Sequence, residues 1–250
     1  ISEGYEELHG EEQLKKIELI KQYFHPNKTD KLLDVGCGTG LTTEPWDCKR
    51  HGIDPAKNLN KDINNKNIKI MTGFFSEKKS LEIKSKYGDY DIITANNVFA
   101  HVDNLIDFSK GVKNILNKDG IFVFEVSYLI EVLKRNTFDT IYHEHMSFHS
   151  YYPLESFFKK LDMRIYDYKL SKVQGGSIRF YVCHKNGKFK KNKKINVLKL
   201  MELKDFKINK SQTYKKMQGV IYEKKIKIKK MISYLISQKK TLIGYGAAAK

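Results

Sequence analysis

The sequence predicts an α/β fold in which a central, mostly parallel sheet carries helices on its faces. Five short apolar runs, mostly of β-prone residues, lie at 31–35, 51–54, 68–71, 91–95 and 121–126. Polar or amphipathic stretches of helical length, such as 102–117, separate them. Strands that alternate with helices in this way are typical of parallel sheets. The first run also ends directly at a cluster of glycines, as expected for the first strand of such a sheet.

The remaining elements follow from periodicity. Residues 1–30 predict a lead-in helix, because apolar side chains recur at helical spacing until His25 and Pro26. We assign 31–185 to the main domain, which ends with two alternating segments, 164–170 and 177–184, that predict a pair of strands.

The last part of the chain, 186–250, predicts a helical connection and the start of a second, incomplete α/β domain. The Lys-rich stretch 185–194 is typical of an exposed connection, and 196–240 shows a long helical pattern. Residues 241–250 resemble a strand that enters a glycine turn. Because the chain also begins at Ile1, we expect it to be a fragment.

Composition narrows the class of protein. No apolar run is long enough to span a membrane and no signal peptide is visible, so we expect a cytoplasmic protein. The formal charge is +17, yet only four of the 46 basic residues are arginines, which makes nucleic acid an unfavoured partner. The three cysteines show no spacing typical of a zinc site or a disulfide framework.

The glycine cluster after the first strand is the clearest sign of a ligand site. Gly36, Gly38 and Gly40 alternate along the chain, and Asp34 lies inside the same motif. Glycine permits a tight turn and close approach of a ligand to the backbone. The motif resembles the first motif of class I methyltransferases that use S-adenosylmethionine (SAM), and Asp34 suits the cationic aminoacyl end of that cofactor.

Residues after the next three strands extend this cofactor site. Asp54 ends the second strand, where a carboxylate can accept both hydroxyls of a ribose, although a turn or capping role is the alternative. Phe74 and Phe75 are candidate walls for the adenine ring, with core packing equally open. Asn96 and Asn97 follow the fourth strand, where class I methyltransferases contact cofactor and substrate.

A histidine-rich segment carries most of the groups suited to proton transfer. Tyr142, His143, Glu144 and His145 are consecutive, and histidine is an effective base near neutral pH. Core packing of a single histidine is the alternative. Two histidines one residue apart, without cysteine ligands or an HExxH motif, are a weak metal signal, so we expect no metal.

Taken in order, these motifs resemble those of sugar C-methyltransferases, which methylate a carbon of nucleotide-linked 4-keto-deoxysugars. The resemblance spans roughly residues 30–250, in the segments 34–40, 52–55, 73–75, 96–101, 139–145, 175–179 and 244–247. It implies a Rossmann-like class I methyltransferase domain with SAM as cofactor and a nucleotide sugar as substrate. Characterised members carry an N-terminal zinc module and a C-terminal domain that continues beyond the last segment, so we expect this chain to be either a fragment or a divergent member.

The resemblance also implies roles for individual residues. His145 matches the general base of the family, and His101 matches a second active-site histidine. Tyr142 and Glu144 would orient the sugar or protonate groups around its carbonyl, and His143 is a further candidate.

Candidate substrate-binding residues lie later in the chain. Arg179, which follows Gly175 and Gly176, suits a substrate phosphate, although a surface arginine on a strand is the alternative. Tyr245 and Lys250 are candidate contacts to the nucleotide.

Three other functions remain open. An O- or N-methyltransferase for a small metabolite or sugar would use the histidines as base for a hydroxyl or an amine. A basic nucleic-acid-binding protein or RNA methylase would lose affinity steeply with salt. A scaffold without activity would retain only its affinity for the cofactor.

Overall fold

The computed structural model describes residues 26–38, 46–57, 68–172 and 175–244. Within them the strands are β1 Lys31–Val35, β2 Lys49–Asp54, β3 Ile68–Thr72, β4 Tyr90–Asn96, β5 Leu116–Ser127, β6 Met163–Ser171 and β7 Ser177–His184. The α-helices are α1 Glu77–Tyr87, α2 Leu105–Ile115, α3 Leu129–Arg135, α4 Tyr151–Lys160, α5 Lys194–Leu200 and α6 Ser211–Ser237. Short 3-10 helices occupy Phe99–His101 and Phe138–Thr140, and a π-helix occupies Met201–Asp205.

The seven strands form one sheet in the order β3-β2-β1-β4-β5-β7-β6. The first five strands run parallel, whereas β7 pairs antiparallel with both β5 and β6. The predicted α/β fold with a mostly parallel sheet is therefore confirmed. Every predicted strand up to residue 184 is present, although β5 begins at Leu116 rather than at residue 121.

The strand order creates a crevice at the carboxyl ends of β1 and β4. These strands are neighbours, but the chain leaves β1 towards β2 and leaves β4 towards β5, so the connections diverge. Ligands of open parallel sheets bind at such a switch point. The register sets Asp34 beside both Gly52 and Thr94, so the turns that follow these strands meet at one edge.

Buried aromatic residues on one face of the sheet anchor the loop after β4. The ring of Phe99 is fully buried and lies 4.5 Å from that of Phe124 and 5.7 Å from that of Phe108. A buried aromatic side chain contributes about 1.5–3 kcal/mol through its apolar area. The 3-10 turn that ends at His101 is therefore fixed to the core.

The starts of α1 and α2 are capped by side chains and lie against each other. Ser76 Oγ accepts the amide hydrogen of Lys79, and Asn104 Oδ1 accepts that of Asp107. Such caps stabilise a helix by about 0.5–2 kcal/mol. The two starts are also joined, because Asp107 Oδ1 accepts the Glu77 amide hydrogen at 3.3 Å.

Arg179 forms an ion pair in the interior of the sheet. It lies opposite Glu125 on neighbouring strands, with Nη2 2.6 Å and Nε 3.0 Å from Glu125 Oε2. Only 1% of Arg179 and none of Glu125 is exposed. Because the guanidinium is closed off from solvent, the structure corrects both expectations for Arg179, the phosphate contact and the surface position.

The long helical pattern over 196–240 is divided in the structure. It consists of α5, the π-helix and α6, and the chain turns between the last two. Glu202 and Ile208 are buried on the domain, and Lys207 adopts a left-handed conformation with φ 49°, which ends the helix. Residues 241–244 form no strand, contrary to the prediction, and Ile243 is 88% exposed.

The buried carboxylate of Glu202 holds the start of α4. It accepts the amide hydrogens of Tyr151 at 2.9 Å and Tyr152 at 2.8 Å and the hydroxyl of Tyr128 at 2.9 Å. Burial raises the pKa of Glu202. The carboxylate thus serves as the cap of a helix N-terminus.

The last helix differs from the others in its exposure. None of the 27 residues of α6 is buried, although it carries many apolar side chains. Across the described ranges, no helix combines the length and apolar character needed to cross a membrane. The predicted lead-in helix falls largely on residues 1–25, outside the described ranges.

Candidate functional site

The turn after β1 provides open space beside its backbone. Gly36 and Gly38 have φ values of 69° and 52°, which favour glycine. A Cβ on Gly36 would lie 2.2 Å from Val98 Cγ2, so only glycine fits there, whereas the space beside Gly38 is open. Gly40 lies outside the described residues. The turn therefore has the shape that close approach of a ligand requires.

Two carboxylates support this turn in different ways. Asp54 Oδ2 accepts the Gly38 amide hydrogen at 3.0 Å, and Oδ1 accepts that of Ala56 at 2.9 Å, which joins the turns after β1 and β2. Asp34 is 1% exposed and accepts the Thr94 hydroxyl hydrogen at 2.6 Å. The structure thus places Asp34 behind the turn, where it joins β1 to β4, and Asp54 in the wall of a cleft.

A first cleft of about 530 Å³ opens at this edge of the sheet. Its volume lies within the range of about 300–1,000 Å³ that is typical of small-molecule sites. Gly36, Asp54, Asn96, Asn97 and both predicted phenylalanines line it. Phe74 is 80% exposed at the rim, whereas Phe75 packs edge-on against Phe108 at 5.1 Å.

A second cleft of about 360 Å³ adjoins the first. Asn97 and His101 line both clefts, so the loop after β4 is their common wall. The remaining wall includes three residues of the predicted histidine segment: Tyr142, Glu144 and His145. Two ligands held in these clefts would meet at this loop.

Backbone carbonyls fix the orientation of two imidazoles in the second cleft. His145 Nδ1 lies 2.8 Å from the Thr140 carbonyl oxygen, and His101 Nδ1 lies 2.8 Å from that of Glu144. A carbonyl oxygen only accepts, so each Nδ1 must carry its hydrogen, and Nε2 holds the lone pair in the neutral ring. The two ring centroids are 5.0 Å apart.

Residues of the histidine segment differ in whether they line the second cleft. The ring of Tyr142 lies 4.5 Å from that of His145, whereas His143 is exposed and lines neither cleft. Glu144 contributes both to the wall and, through its carbonyl, to the orientation of His101. Within residues 26–38, 46–57, 68–172 and 175–244, no group of three or more His, Cys, Asp or Glu side chains is placed to hold a metal ion.

The glycine pair before β7 shapes a turn rather than a cleft wall. Gly175 and Gly176 have φ values of 81° and 120°, and a Cβ on Gly176 would lie 2.6 Å from Glu131 Cγ. Neither lines the two clefts. Tyr245 and Lys250 lie outside the described residues.

The structure also brings in residues that the motifs did not single out. Thr140 and Ser127 line the second cleft, and Asp103, Asn104 and Asp107 line the first. Thr140 lies inside the segment that the sequence marked, so its position could have been found. Asp107 lies on the amphipathic helix α2 and shows no local signal.

A buried histidine beside the site gives stability a pH dependence. His149 is 5% exposed, its Nε2 lies 2.9 Å from Ser147 Oγ, and burial lowers its pKa from 6.5 to about 4. Between these values the unfolded chain binds a proton that the folded chain does not, so stability falls as the pH falls from 6.5 towards 4, by up to about 1.4 kcal/mol per pH unit.

We expect the free energy of unfolding of His149→Gln, measured in urea, to fall less than that of the wild type between pH 7 and 5. Parallel pH profiles would contradict this, because His51 and the carboxylates are common to both proteins.

Comparison with known proteins identifies the family. Residues 8–167, well over half of the chain, match the family described as "Methyltransferase domain". The chain belongs to this methyltransferase family. SAM is the cofactor of such enzymes, as the sequence predicted, and residues 172–250 match "C-methyltransferase C-terminal domain".

Individual relatives agree with this membership. The methyltransferase is 28% identical to the C-methyltransferase NovU of Streptomyces niveus over 224 residues, 88% of this chain and 53% of NovU. It is 31% identical to the ubiquinone biosynthesis O-methyltransferase of Pelagibacter ubique over 132 residues, 48% of this chain and 50% of that protein. The chain thus spans about half the length of the curated relatives it matches.

A solved structure shares the fold. The plantazolicin methyltransferase BpumL, in complex with a pentazolic desmethylPZN analog and S-adenosylhomocysteine (SAH), superposes with a TM-score of 0.51 at 13% identity, over 69% of this chain and 84% of BpumL. The predicted Rossmann-like fold is therefore confirmed.

Proposed function

We propose that this methyltransferase binds SAM in the first cleft and transfers its methyl group to a carbon next to the ketone of a nucleotide-linked deoxysugar in the second. His145 is the general base in this proposal. The observation that carries it is the common wall of the two clefts, formed by Asn97 and His101, which lets a methyl donor and an acceptor meet.

The first cleft suits the chemistry of SAM. The turn at Gly36 lines the cleft and brings its backbone to the aminoacyl end, and Asp54 stands at the end of β2, where a ribose is bound in nucleotide folds. The family match and the SAH-bound structural neighbour support the same ligand. When bound, SAM supplies an electrophilic methyl group on a positively charged sulfur.

Methylation of carbon requires a base, because the carbon must first lose a proton. In the proposed step His145 Nε2 takes that proton, the C–H bonding pair forms the enolate, and the negative charge on its oxygen requires a hydrogen-bond donor. The Thr140 carbonyl accepts from Nδ1 and so stabilises the imidazolium that results. The Tyr142 hydroxyl, from the wall of the same cleft, is the candidate donor to the enolate oxygen.

Separate observations support a carbon atom as the acceptor of the methyl group. The match of residues 172–250 to a C-methyltransferase C-terminal domain and the similarity to NovU favour carbon as the methylated atom. The sequence motifs resemble those of enzymes for 4-keto-deoxysugars, in which a ketone acidifies the adjacent C–H bond.

Deprotonation can be measured without methyl transfer. In deuterated water with SAH in place of SAM, we expect the wild type to exchange the hydrogen next to the ketone of a 4-keto-deoxysugar nucleotide, detected by NMR. SAH completes the first cleft but has no methyl group to transfer, so exchange reports the base alone. Binding of SAH without exchange of any keto sugar nucleotide would overturn the proposal.

The same experiment tests the O-methyltransferase alternative. The similarity to the Pelagibacter enzyme favours this reading, since a histidine base can also activate a hydroxyl. It predicts no exchange at carbon in the presence of SAH, and methyl transfer to oxygen when SAM replaces SAH.

A further inference from the structure

We propose that Asp107 selects adenine in the first cleft, by accepting a hydrogen bond from the 6-amino group on its free carboxylate oxygen. This inference rests on the proposed binding of SAM and extends it to a residue that no motif marks. Asp107 lies on α2 and lines the cleft, at the point where the starts of α1 and α2 meet.

The shape of the first cleft leaves one end for the adenine ring of SAM. The turn at Gly36 and the carboxylate of Asp54 occupy the ends of β1 and β2, and they suit the aminoacyl group and the ribose. The methyl group must point towards the second cleft, at Asn97 and His101. The adenine ring is then directed to the third end of the cleft, whose wall consists of Phe74, Phe75, Ser76, Asn104, Asp107 and Phe108.

Most polar groups at this end already serve as helix caps. Ser76 Oγ accepts the Lys79 amide hydrogen, and Asn104 Oδ1 accepts that of Asp107. Asp107 uses Oδ1 for the Glu77 amide hydrogen, whereas its Oδ2 has no hydrogen-bond partner among the described residues. Asp107 therefore offers a fixed acceptor in the wall of the cleft.

The chemistry of a carboxylate gives this acceptor its selectivity. An ionised carboxylate accepts hydrogen bonds and donates none. The 6-amino group of adenine donates, whereas the 6-oxo group of hypoxanthine accepts and would face Oδ2 with like partial charge. Because Oδ1 is held by Glu77, the carboxylate cannot turn away without loss of that bond.

The preference of the protein for adenine over hypoxanthine tests the role of Asp107. Calorimetry would compare SAH with S-inosylhomocysteine, which carries hypoxanthine, on the wild type and on Asp107→Asn. We expect the wild type to prefer SAH by about 10- to 100-fold, as for a hydrogen bond to a charged acceptor. In the variant, Oδ1 can still accept the Glu77 amide hydrogen, and the new side-chain NH₂ group then points at the nucleoside ring. The preference for SAH over S-inosylhomocysteine should therefore narrow or reverse.

Control variants separate the possible failures. Asp119→Asn changes an exposed carboxylate that lines neither cleft and should keep the wild-type preference. An Asp107→Asn protein that melts like the wild type and keeps its full preference for SAH would overturn the inference. A wild type that binds neither nucleoside would instead overturn the proposed binding of SAM.

Discussion

His145→Ala is expected to lose both hydrogen exchange and methyl transfer while its affinity for SAH stays at the wild-type value. A positioned general base accelerates proton transfer by about 10²- to 10⁴-fold, so the rate should fall by a factor in that range. SAH affinity should persist because His145 lines only the second cleft. Exchange by NMR, transfer from labelled SAM and calorimetry measure the three quantities.

Two neighbouring histidines provide the comparison. His143→Ala should behave as the wild type, because that side chain is exposed and lines neither cleft. His101→Ala should affect both exchange and SAH affinity, since His101 lies in the common wall. If His145→Ala exchanges at the wild-type rate, His145 is not the base and His101 becomes the first candidate.

Arg179→Met should give a large loss of stability. The substitution leaves Glu125 charged in the sheet interior without its partner, a situation that costs about 3–5 kcal/mol. Denaturant unfolding would measure the change. The double variant Glu125→Met with Arg179→Met should recover most of the loss, because replacement of a whole buried pair by apolar residues is often near neutral.

A surface pair supplies the matched control. Arg135 binds Glu131 at 3.0 Å on an exposed part of α3, and Arg135→Met should cost only about 0–1 kcal/mol. Equal effects at the two arginines would show that the buried pair has no special role. A loss of substrate affinity at unchanged stability would restore the phosphate contact that the sequence suggested.

The sequence predicted the sheet well because local patterns specify strands. Each short apolar run became a strand, and the carboxyl ends of parallel strands must meet at one edge. Asp54 and Asn97 could therefore be assigned to this edge from their places after β2 and β4, and both line the first cleft. The division of the helical pattern over 196–240 could not be predicted, because it depends on Glu202, whose partners Tyr128 and Tyr151 lie far away in the chain.

The rest of the site depends on contacts that no local pattern encodes. The partner of Arg179 is set by the register of β5 against β7, so its burial could not be read from the motif around it. The orientation of His101 depends on the Glu144 carbonyl, 43 residues later. Asp107 was hidden for a similar reason, since an acid in the first turn of an amphipathic helix is usually an ordinary surface residue.

Some residues line one cleft only and can change independently of the other cleft, whereas the residues of the common wall cannot. Thr140 and His145 belong to the second cleft alone, and Asp107 belongs to the first alone. Substitutions in the segment 138–149 can therefore reshape the second cleft, the proposed acceptor site, while the first cleft stays intact. Asn97 and His101 lack this freedom, because a change at either residue alters both clefts. Under the proposed function, substitutions in the histidine segment would change which acceptor binds and would leave the SAM cleft as it is.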